Sequence, residues 1–259
     1  MILNLSHLNK DMKKKNIIKF LKSGYYIFNI QDKKKLKYLR DSILKETKKI
    51  IKKKISLEKV HNHVKPKDLN TFKLKIYSSI NSNKTFLKEY FEICKNELIE
   101  LCGNEIAMQR KISLSVQIPG DDSALLPTHS DVWSGCSPFE VVFWLPLVNC
   151  KRTNSMFIYE KNKTEKILKN IKNINLDSFN SKEIKKTFLN IKFGQGLIFS
   201  HQLLHGNQIN NEKTSRWSMN CRFKSLLSPY GKKDIGETFI PLNILPATRL
   251  GFQFFENEK

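Results

Sequence analysis

Leu125-Leu126-Pro127-Thr128-His129-Ser130-Asp131 is the stretch on which the reading of this chain turns, and it has a distant echo in Gly196-Leu197-Ile198-Phe199-Ser200-His201-Gln202-Leu203-Leu204-His205-Gly206. The first stretch offers an imidazole and a carboxylate two residues apart. Side chains at i and i+2 of a strand project to one face, so His129 and Asp131 are expected on a strand, gripping one ion. Two imidazoles and one carboxylate with three open positions suit Fe(II) that works with an organic cosubstrate and dioxygen. An HxD triplet arises by chance in many chains, so the second imidazole matters more. The six histidines are His7, His61, His63, His129, His201 and His205. His61 and His63 sit in a Lys-rich helical region with no matching carboxylate and are expected on the surface. His201 ends an apolar run and His205 precedes Gly206-Asn207. From the residues alone, both remain open as the second imidazole.

Beyond the echo lies Arg216-Trp217-Ser218-Met219-Asn220-Cys221-Arg222-Phe223, which alternates without a break. Trp217, Met219, Cys221 and Phe223 form an apolar face that belongs in a core. Arg216, Ser218, Asn220 and Arg222 form the opposite face. That face is either solvated or lines a wet barrel interior that receives a dicarboxylate. A guanidinium fork matches a carboxylate bidentately and stays charged, and a hydroxyl two residues on can add a hydrogen bond.

Working outward, Asn16 to Ser23 reads as a helix stopped by Gly24, and Tyr25 to Ile30 as a strand. Asp32 is placed to cap a helix carrying Leu36, Leu39, Ile43 and Leu44 that runs to about Ile55. A helix is expected around Phe72 to Ile80, and one amphipathic helix over Phe86 to Leu101. From Ser113 the texture turns to β: Ser113 to Ile118, Glu140 to Val148, Ser155 to Tyr159, Leu197 to Ser200 and Arg216 to Lys224 read as strands, with a turn at Pro119 to Asp122. Residues 161–193 read as a Lys/Asn-rich insertion of one or two helices and a loop, and 226–259 as an extension with little regular pattern. One domain is expected over 1–259, with a helical layer and first strand in 1–110 and a core in 111–225. The fold class is α+β, mainly β: a double-stranded β-helix (jelly-roll, cupin-like) core behind an N-terminal helical layer.

The chain has 259 residues, enough for a substantial core without staples. Its five cysteines are odd in number and lack CxxC spacing, which argues against a disulfide framework or zinc knuckle and for a reducing compartment. The N-terminus lacks the apolar core of a signal peptide. The longest apolar run, Val141 to Val148, is eight residues with a proline, too short to span a bilayer. A cytoplasmic protein with no membrane span is expected. The formal charge of +22 fits either lysines on solvated helix faces or an anionic partner.

Taken together, Leu-Pro-x-His-Ser-Asp, Leu-Leu-His-Gly-Asn and Arg216-x-Ser218 resemble the 2-oxoglutarate- and Fe(II)-dependent oxygenases of the phytanoyl-CoA-hydroxylase-like superfamily. Within it, Trp133 to Val142 and Ser155 to Ile158 look like the oxygenases of carbohydrate gene clusters, including a streptomycin-cluster type. The resemblance is good over about 113–224 and loose before. It implies that His129, Asp131 and His205 bind Fe(II), and that Arg216, assisted by Ser218, pairs with the distal carboxylate of 2-oxoglutarate. Trp144 and Asn207 match positions bordering the cosubstrate. His201 is then a packed or hydrogen-bonded neighbour.

With dioxygen as co-reactant, the family oxidatively decarboxylates 2-oxoglutarate to succinate and oxidises a substrate C–H bond. Asp131 favours hydroxylation over halogenation, because halogenating relatives carry a small residue there. The expected substrate is a small polar metabolite, a sugar or an anionic, nucleotide-linked activated sugar of surface-polysaccharide or secondary-metabolite biosynthesis. Trp133 could stack on it, and Ser134, Ser137, Asn220 and Arg222 could hydrogen-bond it. One alternative is an oxidative demethylase of alkylated bases, which carries a similar arginine pair; without a nucleotide-recognition segment, nucleic acid is disfavoured as partner. A non-oxidative cupin-like binding or isomerase protein is the other, and the full residue set argues against it.

Overall fold

The computed structural model describes residues 12–123, 125–169 and 186–257. In chain order these form α1 (Met12–Ser23), β1 (Tyr25–Asn29), α2 (Lys33–Ile51), α3 (Pro66–Asn81), α4 (Lys84–Glu92), α5 (Lys95–Cys102), β2 (Ile106–Gln109), β3 (Ser113–Gln117), β4 (Val141–Pro146), β5 (Phe157–Tyr159), α6 (Lys161–Lys169), β6 (Lys186–Phe188), β7 (Gln195–Ser200), β8 (His205–Gly206), β9 (Arg216–Ser225), β10 (Phe239–Pro241) and α7 (Pro246–Asn257). Short 3₁₀ segments occupy Leu57–Asn62, Asp131–Ser134 and Arg152–Asn154.

The first third folds much as its local chemistry dictates. Gly24 ends α1 at φ 79°, a backbone state that suits glycine. The Asp32 side chain accepts from Lys35 N at 2.9 Å and caps α2. That helix buries Leu36, Leu39, Ile43 and Thr47 while Lys33, Lys34, Lys37, Lys45, Lys48 and Lys49 face outward. The single helix expected over Phe86 to Leu101 is instead two, α4 and α5. Between them the buried Cys94 thiol turns back to the carbonyls of Tyr90 (3.6 Å) and Phe91 (3.4 Å), and the helix restarts at Lys95. A side-chain donor competing for helical carbonyls breaks a register that the apolar pattern alone would continue.

The main sheet runs β1-β7-β4-β9-β2-β10, with β3 also paired to β9. Every pairing between its strands is antiparallel. β9 serves two partners on one edge: Arg216 to Asn220 pair with β3, and Phe223 to Ser225 with β2. A second sheet runs β6-β5-β8. The two meet where the rings of Phe199 on β7 and His205 on β8 lie 4.8 Å apart. This is the expected double-stranded β-helix core with helices on one side. Three strands and a helix lie where the sequence showed little: β2 just before the expected core, β6 inside the 161–193 insertion, and β10 with α7 in the extension. Residues 170–185 of the insertion lie outside the described residues.

One face of the main sheet is sealed by the helices. Trp217 meets Phe72 of α3 edge-on at 6.0 Å, and Phe223 stacks on Phe91 of α4 at 6.2 Å. Trp217, Met219, Cys221 and Phe223 are all fully buried there, as the alternation predicts. Among the described residues, no helix is long and apolar enough to cross a membrane. Phe143 of β4 sits between Phe28 (5.9 Å) and Tyr90 (5.1 Å) at the centre of this layer. Phe143→Ala is expected to cost about 3–5 kcal/mol of stability. The check is a lower urea midpoint at unchanged slope.

Candidate active site

The opposite face of the main sheet holds the polar residues, and the second sheet closes over it. His129 and Asp131 do not share a strand, contrary to the sequence expectation. His129 makes an isolated antiparallel bridge to His205. Ser130 is extended, and Asp131 already begins a 3₁₀ turn that ends at Gly135 in the left-handed region. The Ser130 hydroxyl is held by the carbonyls of His201 (3.0 Å) and Gln202 (3.1 Å), and its own carbonyl accepts from Trp133 N. Those bonds bend the chain immediately after His129 and deliver Asp131 from a turn.

The bridge depends on Gly206. A Cβ there would lie 2.8 Å from Leu126 O and 3.0 Å from Pro127 O, so a side chain would push the His129 segment away. Asn207 reinforces the same approach: its Oδ1 accepts from Leu126 N at 2.6 Å and its N–H donates to Leu126 O.

His129, Asp131 and His205 come together, with one potential ligand atom from each within 4.8 Å of the others. Each imidazole is oriented by the backbone. Nδ1 of His129 lies 2.7 Å from Pro127 O, and Nδ1 of His205 lies 2.8 Å from Leu203 O. A carbonyl can only accept, so both Nδ1 atoms carry a proton, and it is Nε2 of each ring that is left to meet a metal. Burial pushes the His205 pKa down to about 4, against the attraction of Asp131, which keeps the ring neutral at pH 7. Burial also opposes ionisation of Asp131, but the attraction of its carboxylate for the His205 and His201 rings and for the Arg222 guanidinium holds its carboxyl well below the usual carboxylate range. Of these, the arginine is charged at every physiological pH. Arg222 Nη2 donates to Asp131 Oδ1 at 2.9 Å.

Arg216 is different. It is buried, and its Nη2 donates to Ser115 Oγ at 2.8 Å. Among the described residues its Nε has no partner, and neither does the buried hydroxyl of Ser218. Burial lowers the Arg216 pKa, and the facing thiol of Cys150 is a neutral neighbour whose own pKa burial pushes up to about 12. Among the described residues no carboxylate pairs with Arg216. A buried guanidinium without a counter-ion is costly, and an incoming carboxylate removes that cost. His129, Trp144, His205, Asn207, Arg216 and Asn220 line one narrow cavity of about 60 Å³. The donor set of two imidazoles and a carboxylate, beside an orphaned cation and hydroxyl, fits a divalent metal with an anionic cosubstrate.

The other candidate residues fall in varied settings. The Arg222 guanidinium is divided between Asp131 and Gln109 Oε1 (3.2 Å). Ser137 is buried and donates to Pro229 O at 2.6 Å. Trp133 packs on the small core of Phe157, Tyr159, Ile167 and Leu204, while Ser134 is exposed. His61 is half-buried, with Nδ1 2.9 Å from Ser215 Oγ, and His63 is exposed as expected. Ser115 was missed, although it lies on the polar face of the alternating β3 and pairs directly with Ser218. Also missed was a second buried group, Cys136, Glu140 and His201, which lies alongside Asp131.

No family model matches the chain, and no curated protein matches its sequence. Among solved structures it is similar in fold to the non-heme monooxygenase ThoJ in its apo form, with TM-score 0.58 and 13% identity over 88% of this chain and 83% of that one. It is similar to SnoK, a non-heme alpha ketoglutarate dependent carbocyclase from nogalamycin biosynthesis, with TM-score 0.57 and 9% identity over 89% and 96%. A third is the epimerase SnoN in complex with Fe3+, alpha ketoglutarate and nogalamycin RO, with TM-score 0.50 and 11% identity over 84% and 85%.

Burial drives the His201 pKa down to about 3 and that of His205 to about 4. The unfolded chain therefore binds more protons from the ordinary histidine range down to these values, and the metal-free protein should lose stability as pH falls through that window. The slope is up to about 1.4 kcal/mol per pH unit for each ring. Asp131, held low, adds its own loss at still lower pH. Urea midpoints at about pH 7 and about pH 5 check this; equal midpoints would mean that both rings are protonated in the fold.

Proposed function

We propose that this chain is a non-haem Fe(II)- and 2-oxoglutarate-dependent oxygenase that hydroxylates a small polar metabolite. The observation that carries the reading is the buried, unpaired Arg216 opening onto the same cavity as His129 and His205. A metal set alone would suit a binding protein. A permanent buried cation with a free hydroxyl beside it calls for an acidic partner. The fold shared with ThoJ and with the alpha ketoglutarate dependent SnoK is in keeping with this reading.

In this proposal Nε2 of His129, Nε2 of His205 and the Asp131 carboxylate hold Fe(II). Arg216 and Ser218 take the distal carboxylate of 2-oxoglutarate, with Ser115 orienting the guanidinium. Trp144 and Asn207 border the cosubstrate, and Asn220 lies on the same wall. Iron with 2-oxoglutarate bound there supplies dioxygen activation coupled to decarboxylation to succinate. What the chain itself contributes is position and dryness. Each imidazole leaves Nε2 for the metal, and Asp131 is buried with the Arg222 guanidinium facing it. The helical layer and second sheet keep bulk water from the site. No side chain is needed as nucleophile or general base.

For substrate, a sugar or activated sugar, anionic or nucleotide-linked, is the proposed class. It would approach past the exposed side chains of Leu126 and Phe139, which lie on the segments flanking the metal residues. Hydroxylation is the proposed outcome because Asp131 retains the carboxylate.

Anaerobic Fe(II) with 2-oxoglutarate is expected to give a weak visible charge-transfer band, and Asp131→Ala to abolish succinate formation. Arg216→Met should weaken 2-oxoglutarate binding by about 30-fold or more, the effect of losing one partner of a buried charge pair. Iron binding without the band, or full succinate production by Asp131→Ala, would sink the assignment.

A further inference from the structure

Asp131 is addressed from two sides. Arg222 Nη2 holds Oδ1 at 2.9 Å. Its other oxygen, Oδ2, faces His205 Nε2 at 3.9 Å and His201 Nε2 at 3.6 Å. Behind His201 stands Glu140, whose Oε2 is 3.2 Å from His201 Nδ1. His201 is fully buried and Glu140 is 1% exposed. Among the described residues both ring nitrogens of His201 and Oε2 of Glu140 lack a hydrogen-bond partner. These three atoms line up along one row that ends on Asp131.

Packing does not explain the row. A leucine or phenylalanine would fill the same space without burying unsatisfied polar atoms, which is costly. The backbone also fixes the row at both ends. His201 N donates to Glu140 O at 3.4 Å, and the His201 carbonyl accepts from Ser130 Oγ at 3.0 Å. His201 is thus tied to the residue that precedes Asp131 and to the one that backs its ring. Glu140 is held in turn, its Oε1 accepting from Ser137 N at 2.9 Å.

We propose that His201, backed by Glu140, is a positioning residue that fixes the rotation of the Asp131 carboxylate and so selects Oδ2, the oxygen that faces His205, as the one presented to a metal. Arg222 and His201 act as a pair of stops on the two oxygens. Without His201 the carboxylate can turn about its last bond and offer either oxygen or both. This inference rests on the metal reading above and adds a role for two residues outside the metal set.

A second metal site at Cys136, Glu140 and His201 is the competing use of the same atoms, since their donor atoms lie within 4.8 Å of one another. Charge argues against it. Lys233 Nζ already sits 2.8 Å from Cys136 Sγ and supplies the cation that a metal would bring.

The test is anaerobic titration of the full chain with Co(II), whose visible spectrum reports coordination geometry. His201→Leu should weaken Co(II) binding by about 10–100-fold and alter the visible bands, the usual consequence of losing an outer partner of a ligand. Its urea midpoint should equal or exceed that of the parent, because an unsatisfied polar group is removed. His201→Gln, which keeps a donor, should recover most of the affinity. Glu140→Gln, which keeps the shape, should weaken binding by a smaller factor and serves if His201→Leu does not fold. Parental affinity and spectrum in both His201→Leu and Glu140→Gln would overturn the proposal. So would a second Co(II) per chain with thiolate charge-transfer absorption. Asp131→Ala separates the two levels: if it too binds Co(II) like the parent, the metal reading itself fails, whereas loss there with parental binding in the other variants removes the positioning role alone.

Discussion

Two main-chain hydrogen bonds carry the site: His129 N donates to His205 O at 3.0 Å, and His205 N donates to His129 O at 2.9 Å. This single antiparallel bridge joins segments far apart in the chain and brings their imidazole centroids to 4.4 Å. Everything near it keeps the bridge possible. Gly206 leaves room for the carbonyls of Leu126 and Pro127, Asn207 holds Leu126, and Ser130 anchors to the His201 and Gln202 carbonyls. Because the bridge is backbone, it sets the distance between the rings before any ligand arrives. The carbonyls of Pro127 and Leu203 then set which ring nitrogen is free. Preorganisation of this kind spares the entropy of gathering ligands at the moment of binding.

The second constraint is β9, which must be apolar toward the helices and charged toward the interior. Its polar row runs Arg216, Ser218, Asn220, Arg222 and Lys224. Buried cations need partners, and the row meets that need unevenly. Lys224 donates to Pro229 O and lies over the Tyr230 ring, and Arg222 pairs with Asp131. Among the described residues Arg216 has the Ser115 hydroxyl as its side-chain partner and no carboxylate. The fold therefore satisfies its own charge at one end of the strand and leaves it open at the other, at the mouth of the cavity shared with the histidines. The asymmetry sets a guanidinium without a counter-ion apart from a structural ion pair.

Much of this was legible in the residues. The period-two pattern of β9, the Asp32 cap and the apolar stripe of α2 are local features, decided by neighbours a few residues away. Four short strands were not legible: β2, β6, β8 and β10, of two to four residues, are too short for alternation to register, and each is held by the strand it pairs with. The break between α4 and α5 was hidden for another reason. A thiol bonding backward to carbonyls leaves no mark on the apolar stripe. The HxD spacing suggested a strand, and the turn at Asp131 came from hydrogen bonds to carbonyls some seventy residues distant.

The sequence by itself determined which chemistry is available here: few histidines, one carboxylate in step with one of them, and a strand with arginines on a single face. Residue types and local periodicity suffice for that. The tertiary structure decided how those groups are used. It separated two arginines that look equivalent on the strand, giving Arg222 to Asp131 and leaving Arg216 open, and it set His201 against Asp131 with Glu140 behind it. The physical reason is that a charged side chain takes its role from what it meets in the interior, and those partners come from segments that only the sheet pairing brings together.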